Sequence, residues 1–192
     1  GTVTVSLPAG RQLVLDEAIG FLRASGLSIP GGSQAGTVEA AFSGLSTAEA
    51  AFAGVRVTAP SEGGRSGVAY VAPRVEELPS GTSWLYGMRG TAQDRTNVAL
   101  ANASASSEVT LRLTLHDGGG TGSQAAFPDV TLGPGQFLQL DDVFSSAAFS
   151  QGYASVSVVS GSGPYCAYAV FNDEGTNDGS FVPFAAGPES VE

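Results

Sequence analysis

Apolar and polar positions alternate along much of this chain with the two-residue period of a β-strand. Val109 to Leu115 is the clearest case, with Val109, Leu111, Leu113 and Leu115 on one face. Tyr153 to Val158 and Tyr165 to Phe171 behave similarly, and Ser160-Gly161-Ser162-Gly163-Pro164 supplies the turn between them. Asp117-Gly118-Gly119-Gly120 ends the preceding strand in the same way, and Gly1 to Val5 also reads as a strand. Turn signals recur at roughly the 8–12 residue spacing of a β-sandwich. One helix interrupts this pattern. Asp16 caps it, Ile19, Leu22 and Phe21 form its apolar side, and Gly26 stops it. Asp141-Asp142-Val143-Phe144 predicts a shorter helical turn, and Ser46-Thr47-Ala48-Glu49 another.

The same pattern occurs twice. Val5-Ser6-Leu7-Pro8-Ala9-Gly10-Arg11-Gln12-Leu13-Val14-Leu15-Asp16-Glu17 aligns without a gap on Val130-Thr131-Leu132-Gly133-Pro134-Gly135-Gln136-Phe137-Leu138-Gln139-Leu140-Asp141-Asp142. Each reads as strand, Pro/Gly turn, strand, acidic pair. With a shifted offset, Gly36 to Phe42 parallels Gly152 to Val158, and Gly54 to Val57 parallels Ala169 to Asn172. Gly67 to Pro73 likewise parallels Gly179 to Pro183. Ser83 to Met88, Thr96 to Leu100 and Val109 to Leu115 have no earlier counterpart. The expected organisation is therefore a partial sandwich repeat over 1–76, lacking its front strands, a complete repeat over 80–186, and a tail over 187–192. Arg74 to Gly81 reads as the linker.

Composition narrows the class. Of 192 residues, 42% are hydrophobic and only 14% charged, which suits a packed core rather than a disordered acidic tail. The 27 glycines lie between short apolar runs, as turns do, without a collagen period. The net charge is −10, and all eight basic residues are scattered arginines. Without a basic patch the chain does not fit a nucleic-acid partner. No apolar run approaches the ~20 residues that span a bilayer as a helix. Without Lys, the Lys–Asn isopeptide crosslinks of many surface sandwiches cannot form. The lone Cys166 excludes an intrachain disulfide, and with His116 as the only histidine no Cys/His zinc site can be assembled.

Catalytic chemistry finds few residues to use. His116, at a strand end, is the only imidazole base, and no Gly-x-Ser-x-Gly elbow accompanies it. Cys166 sits in an ordinary strand context, where a thiol is a small hydrophobe. The recurring pairs Asp16-Glu17 and Asp141-Asp142 read as helix caps rather than as glycosidase carboxylates. Asn172 to Gly179 is the densest cluster of oxygen ligands, with Asp173 and Asp178 as a calcium candidate, although a polar hairpin loop explains the same residues. The equivalent first-copy loop, Ala59 to Arg65, lacks the pattern. Asn102-Ala103-Ser104 fits a glycosylation acceptor. Trp84, Tyr86, Tyr165 and Tyr168 offer either a sugar-stacking platform or core aromatics. The residues thus give no catalytic or cofactor-binding set.

Four segments carry a family resemblance: Asp94 to Asn102, Leu132 to Gln136, Tyr165 to Ala169, and Asn172-Asp173 through Asp178-Gly179-Ser180-Phe181-Val182-Pro183. They resemble an immunoglobulin-like β-sandwich repeat of large secreted or cell-surface bacterial proteins. The resemblance covers nearly all of the second copy and, more weakly, the first, and it implies architecture and an extracellular location without an activity or ligand. The expected fold class is all-β, with tandem immunoglobulin-like β-sandwich repeats, one partial and one complete, and one or two short helices. The expected function is a non-catalytic extracellular structural or adhesive module. Its expected partners are copies of itself or neighbouring domains of the same polypeptide. Strands from a neighbouring chain would complete the partial repeat and make a surface or filament subunit. The alternative is a carbohydrate- or ligand-binding module attached to a larger secreted protein.

Overall fold

The computed structural model describes residues 1–32, 35–47, 50–61 and 63–186. The chain is all-β apart from one short helix, and it divides into two compact units at Ala35/Gly36. The predicted tail 187–192 lies outside the described residues, as do Ala48 and Glu49 of the predicted turn and Glu62 of the first-copy loop.

The first unit is built around helix α1 (Ala18–Ala24). Its end is the one the sequence predicts. Leu27 N–H donates to Leu22 O and Gly26 N–H to Arg23 O, with Gly26 at φ 95°, the geometry of a Schellman cap. Its start differs. Glu17, not Asp16, is the N-cap, and neither carboxylate bonds the exposed amides, so the first acidic pair does not act as a side-chain cap. Arg23 spans the exit by donating to Ile29 O and Pro30 O. The expected strands over 1–5 and 12–15 do not form, because alternation specifies a face but a strand also needs a hydrogen-bonding neighbour.

The second unit begins without regular strands. Gly36 to Phe42, expected as a strand, has none. A hairpin follows, β1 (Gly54–Ser61) with β2 (Gly64–Val71), and then a 3-10 turn at Val75–Glu77 closed by Arg74 N–H on Glu77 Oε2. The sandwich comprises β3 (Ser83–Arg89), β4 (Asp94–Asn102), β5 (Val109–Asp117), β6 (Gln124–Ala126), β7 (Val130–Leu132), β8 (Phe137–Leu140), β9 (Gln151–Gly161), β10 (Tyr165–Asp173), β11 (Gly179–Pro183) and β12 (Ala185–Ala186). One sheet has the order β11-β10-β4-β8. The other runs β12-β3-β9-β5-β6, with β7 also paired to β5. The expected strands over 109–115, 153–158 and 165–171 all form, inside longer ones. The turn from 160 to 164 joins the last two with Gly161 and Gly163 at positive φ.

The alternating residues meet between the sheets. Leu85, Met88, Leu111, Leu113, Leu115 and Val156 face Val98, Leu100, Ala167 and Ala169, all buried. Tyr165 closes one end. Its hydroxyl lies 2.9 Å from Ser83 Oγ, 2.8 Å from Val156 O and 3.0 Å from Gly81 O. The second acidic pair forms a tight turn over Val143 to Ser146, not a helix. Asp142 takes φ 42°, its N–H donates to Asn97 Oδ1, and its carbonyl accepts from Ser145. Asp141 accepts from Gln139 Nε2 instead of capping a helix. The hairpin β1–β2 belongs to this same unit. Tyr70 packs edge-on against Tyr168 at 5.4 Å and Phe181 at 5.3 Å.

Candidate functional site: an aromatic sheet face

The outer face of the six-stranded sheet carries the largest group of aromatic rings. In β3, Leu85 points inward, so Trp84 and Tyr86 point outward. Pairing in register places Trp84 opposite Ser155 and His116 opposite Tyr153, which brings strands β3, β9 and β5 to one patch. Trp84 and Tyr86 lie near-parallel, 13° apart, with centroids separated by 6.5 Å. Tyr153 bridges them at 5.8 Å and 5.9 Å. His116 stacks on Tyr153 at 4.8 Å with an 8° tilt. Tyr86 is 50% exposed, and the other three rings are half-buried.

The patch also has hydrogen-bonding groups and, among the described residues, carries no cation free of a carboxylate partner. His116 Nε2 and Ser155 Oγ are 2.9 Å apart, and burial pushes the imidazole pKa below its usual 6.5, so the ring is neutral at pH 7. Farther along the face, Thr82 and Ser157 share a hydrogen bond of 3.2 Å. Arg112 is neutralised by a two-pronged contact with Asp129, at 2.7 and 2.8 Å. Asp117, next to His116, turns its carboxylate to Gly119 N–H and to Thr121, whose hydrogen bonds hold it well below the usual carboxylate range.

The Ser155–His116 contact has the spacing of a nucleophile and its base, but it lacks the third member. Among the described residues no carboxylate hydrogen-bonds the imidazole. Cys166 is on the opposite sheet, in β10, where burial pushes its thiol up to about 11. The two candidate reactive side chains therefore do not converge.

The structure redistributes the other sequence candidates. Of the four aromatics proposed as a platform, Trp84 and Tyr86 are on it. Tyr165 is in the core, and Tyr168 lies on the other sheet under Tyr70, with its hydroxyl pushed up to about 12, chiefly by burial. Tyr153 and His116 complete the patch, although the sequence offers His116 only as a catalytic base and does not single out Tyr153. The missing signal was the β5–β9 register, which sets His116 opposite Tyr153. Asn102 is buried. Its Nδ2 donates to Ser107 O and Leu132 O, and its Oδ1 accepts from Ser104 N–H. The acceptor motif is thus a structural clamp, with both amide protons engaged.

Asp173 and Asp178 tie their own loop together. Asp173 Oδ1 accepts from the Thr176 amide and hydroxyl, at 2.6 and 2.8 Å, and Asp178 Oδ1 accepts from Gly67 N–H. Between them, Arg95 pairs with Glu174 at 3.0 Å and donates to Asn177 Oδ1. Among the described residues no group of three or more His, Cys, Asp or Glu side chains is placed to hold a metal ion. Comparison with protein families, curated proteins and solved structures gives no match.

Proposed function

We propose that this chain is a non-catalytic, extracellular adhesive module whose aromatic sheet face holds a neutral saccharide. The observation that carries the reading is the contiguity of Trp84, Tyr86, Tyr153 and His116 on three adjacent strands. Flat aromatic faces stack on the apolar C–H faces of sugar rings, while the hydroxyl, indole and imidazole edges serve the sugar's own hydroxyls. The ionised group beside the patch, the Asp117 carboxylate, is negative, and the chain carries −10 overall, both of which disfavour an anionic ligand. The extracellular location rests on the family resemblance.

The single tryptophan of the chain lies in the site, so its fluorescence reports binding directly. Titration with a panel of neutral polysaccharides should shift Trp84 emission and retard the protein in gels containing the matching polymer. Tyr86→Ala and Tyr153→Ala should each weaken that retention at least tenfold while leaving the unfolding midpoint nearly unchanged. If no neutral polysaccharide perturbs Trp84, or if the two alanine variants are retained as strongly as the native chain, the reading fails.

A further inference from the structure

Residues 5–15 copy the segment that turns the corner between the two sheets, and the copying extends to backbone geometry. In the sandwich, β7 pairs with β5 of one sheet and β8 with β4 of the other, so 130–140 crosses from sheet to sheet. The crossing is a turn in which Gln136 N–H donates to Gly133 O at 3.0 Å, with Gly135 at φ 67°. At the aligned positions Arg11 N–H donates to Pro8 O at 3.1 Å, with Gly10 at φ 70°. A positive φ at the third turn residue is what a glycine there permits. The first unit therefore contains the same corner, already bent, without strands on either side of it.

Its side chains match as well, but their environment does not. Leu132 is buried, and Val130, Leu138 and Leu140 pack against the core. Their counterparts Leu7, Val5, Leu13 and Leu15 are 44%, 47%, 46% and 38% exposed. Apolar residues spaced for a sheet and left in water favour whatever contact buries them.

The sandwich offers a matching place. β8 is the last strand of its sheet, and β7 pairs only with β5, so among the described strands neither has a neighbour on its far side. Open edges are ordinarily defended by charge, proline or a bulge. Here Val130-Thr131-Leu132 and Phe137-Leu138-Gln139-Leu140 carry none of these, and neither do Val5-Ser6-Leu7 and Gln12-Leu13-Val14-Leu15.

We infer that residues 5–15 of one chain dock edge-on along β7 and β8 of a second copy, extending each of its sheets by one strand. The occupant is a second copy because the donor duplicates the acceptor's own corner in sequence, turn geometry and the spacing of its apolar residues. Donor and acceptor are different surfaces of one chain, so each copy can receive one neighbour and be received by another. Such a head-to-tail contact closes into a ring or continues as a filament.

Sedimentation velocity over a wide concentration range tests this with the full chain. The native protein should move from its single-chain mass of 19.2 kDa to multiples of it as concentration rises. Amides of 5–15 and 130–140 should gain hydrogen-exchange protection over the same range. The double variant Leu13→Asp, Leu15→Asp should stay at one chain while its Trp84 emission and cooperative unfolding remain native. A native chain that stays monomeric throughout, or a double variant that associates equally well, would overturn the inference. So would protection of 5–15 that is independent of concentration.

Discussion

Asn102 shows how much of this fold depends on a single polar side chain. It sits at the end of β4 in the buried zone, and its amide holds the Ser107 carbonyl of the loop before β5 and the Leu132 carbonyl at the end of β7, together with the Ser104 N–H. Asn102→Ala removes the donor to the buried Leu132 carbonyl and loosens the half-buried contacts to Ser107 and Ser104, and should cost about 1–3 kcal/mol, the range for one orphaned buried group. Asn102→Asp should be at least as damaging, because it replaces a donor with an oxygen facing two carbonyl oxygens. Urea unfolding midpoints check both. His116 gives a pH signature. Burial lowers its pKa in the folded state, so on acidification the unfolded chain takes up this proton first. The contribution of neutral His116 to stability is therefore complete above about 6.5 and is lost as pH falls through the lower folded value. Asp117, Asp129 and Asp173, each held below its usual pKa by hydrogen bonds, stay ionised across that window. The urea midpoint and saccharide retention should both decline from pH 7 to pH 5.5 in the native chain. In His116→Phe they should change much less.

At the level of elements, the pairing of β5 with β9 places the site, and it depends on a close approach at Gly152. There a side-chain carbon would collide with the His116 carbonyl oxygen, while the facing residue of the pair is Asp117. Gly152→Ala should push the strand ends apart at a cost of ~1–3 kcal/mol, as overpacking does. It should also weaken saccharide retention, because Tyr153 and His116 would lose their stacking. Thermal unfolding and Trp84 titration read the two effects separately. The same pairing marks what the sequence could and could not convey. Alternation located the long strand β5, where alternate residues are buried, and it also located β9 and β10, although consecutive residues are buried in both. It also placed strands over 1–5, 12–15 and 36–42, where the structure has none. The side-chain pattern records which face is apolar, not whether a neighbouring backbone is present to complete the ladder. Half of the aromatic patch was legible as Trp84 and Tyr86, two positions apart on one strand. Tyr153 and His116 come from distant segments, and only register brings them beside those rings. Asp16-Glu17 and Asp141-Asp142 look alike, but one begins a helix without a side-chain capping bond and the other makes a tight turn.

Across the whole molecule, the sandwich core and the duplicated corner serve separable purposes. Every side chain of the central core, from Leu85 to Phe184, lies in the later part of the second unit. Val68 of β2 is also buried, and a side-chain carbon at Gly179 would collide with its methyl group. A chain restricted to residues 54–186 therefore keeps the whole core, the hairpin that Tyr70 anchors, and all four rings of the aromatic face. It should unfold in one cooperative transition with a midpoint close to that of the full chain, because large stability losses come from core and buried polar groups rather than from exposed segments. It should bind the same saccharide with unchanged affinity, and it should remain a single chain at concentrations where the full protein associates. Calorimetry, Trp84 titration and sedimentation on this one truncation thus separate the two proposals. Loss of binding would place part of the ligand site before Gly54, and persistent association would place the self-contact outside residues 5–15. A lowered midpoint would show that the segment before Gly54 stabilises the sandwich.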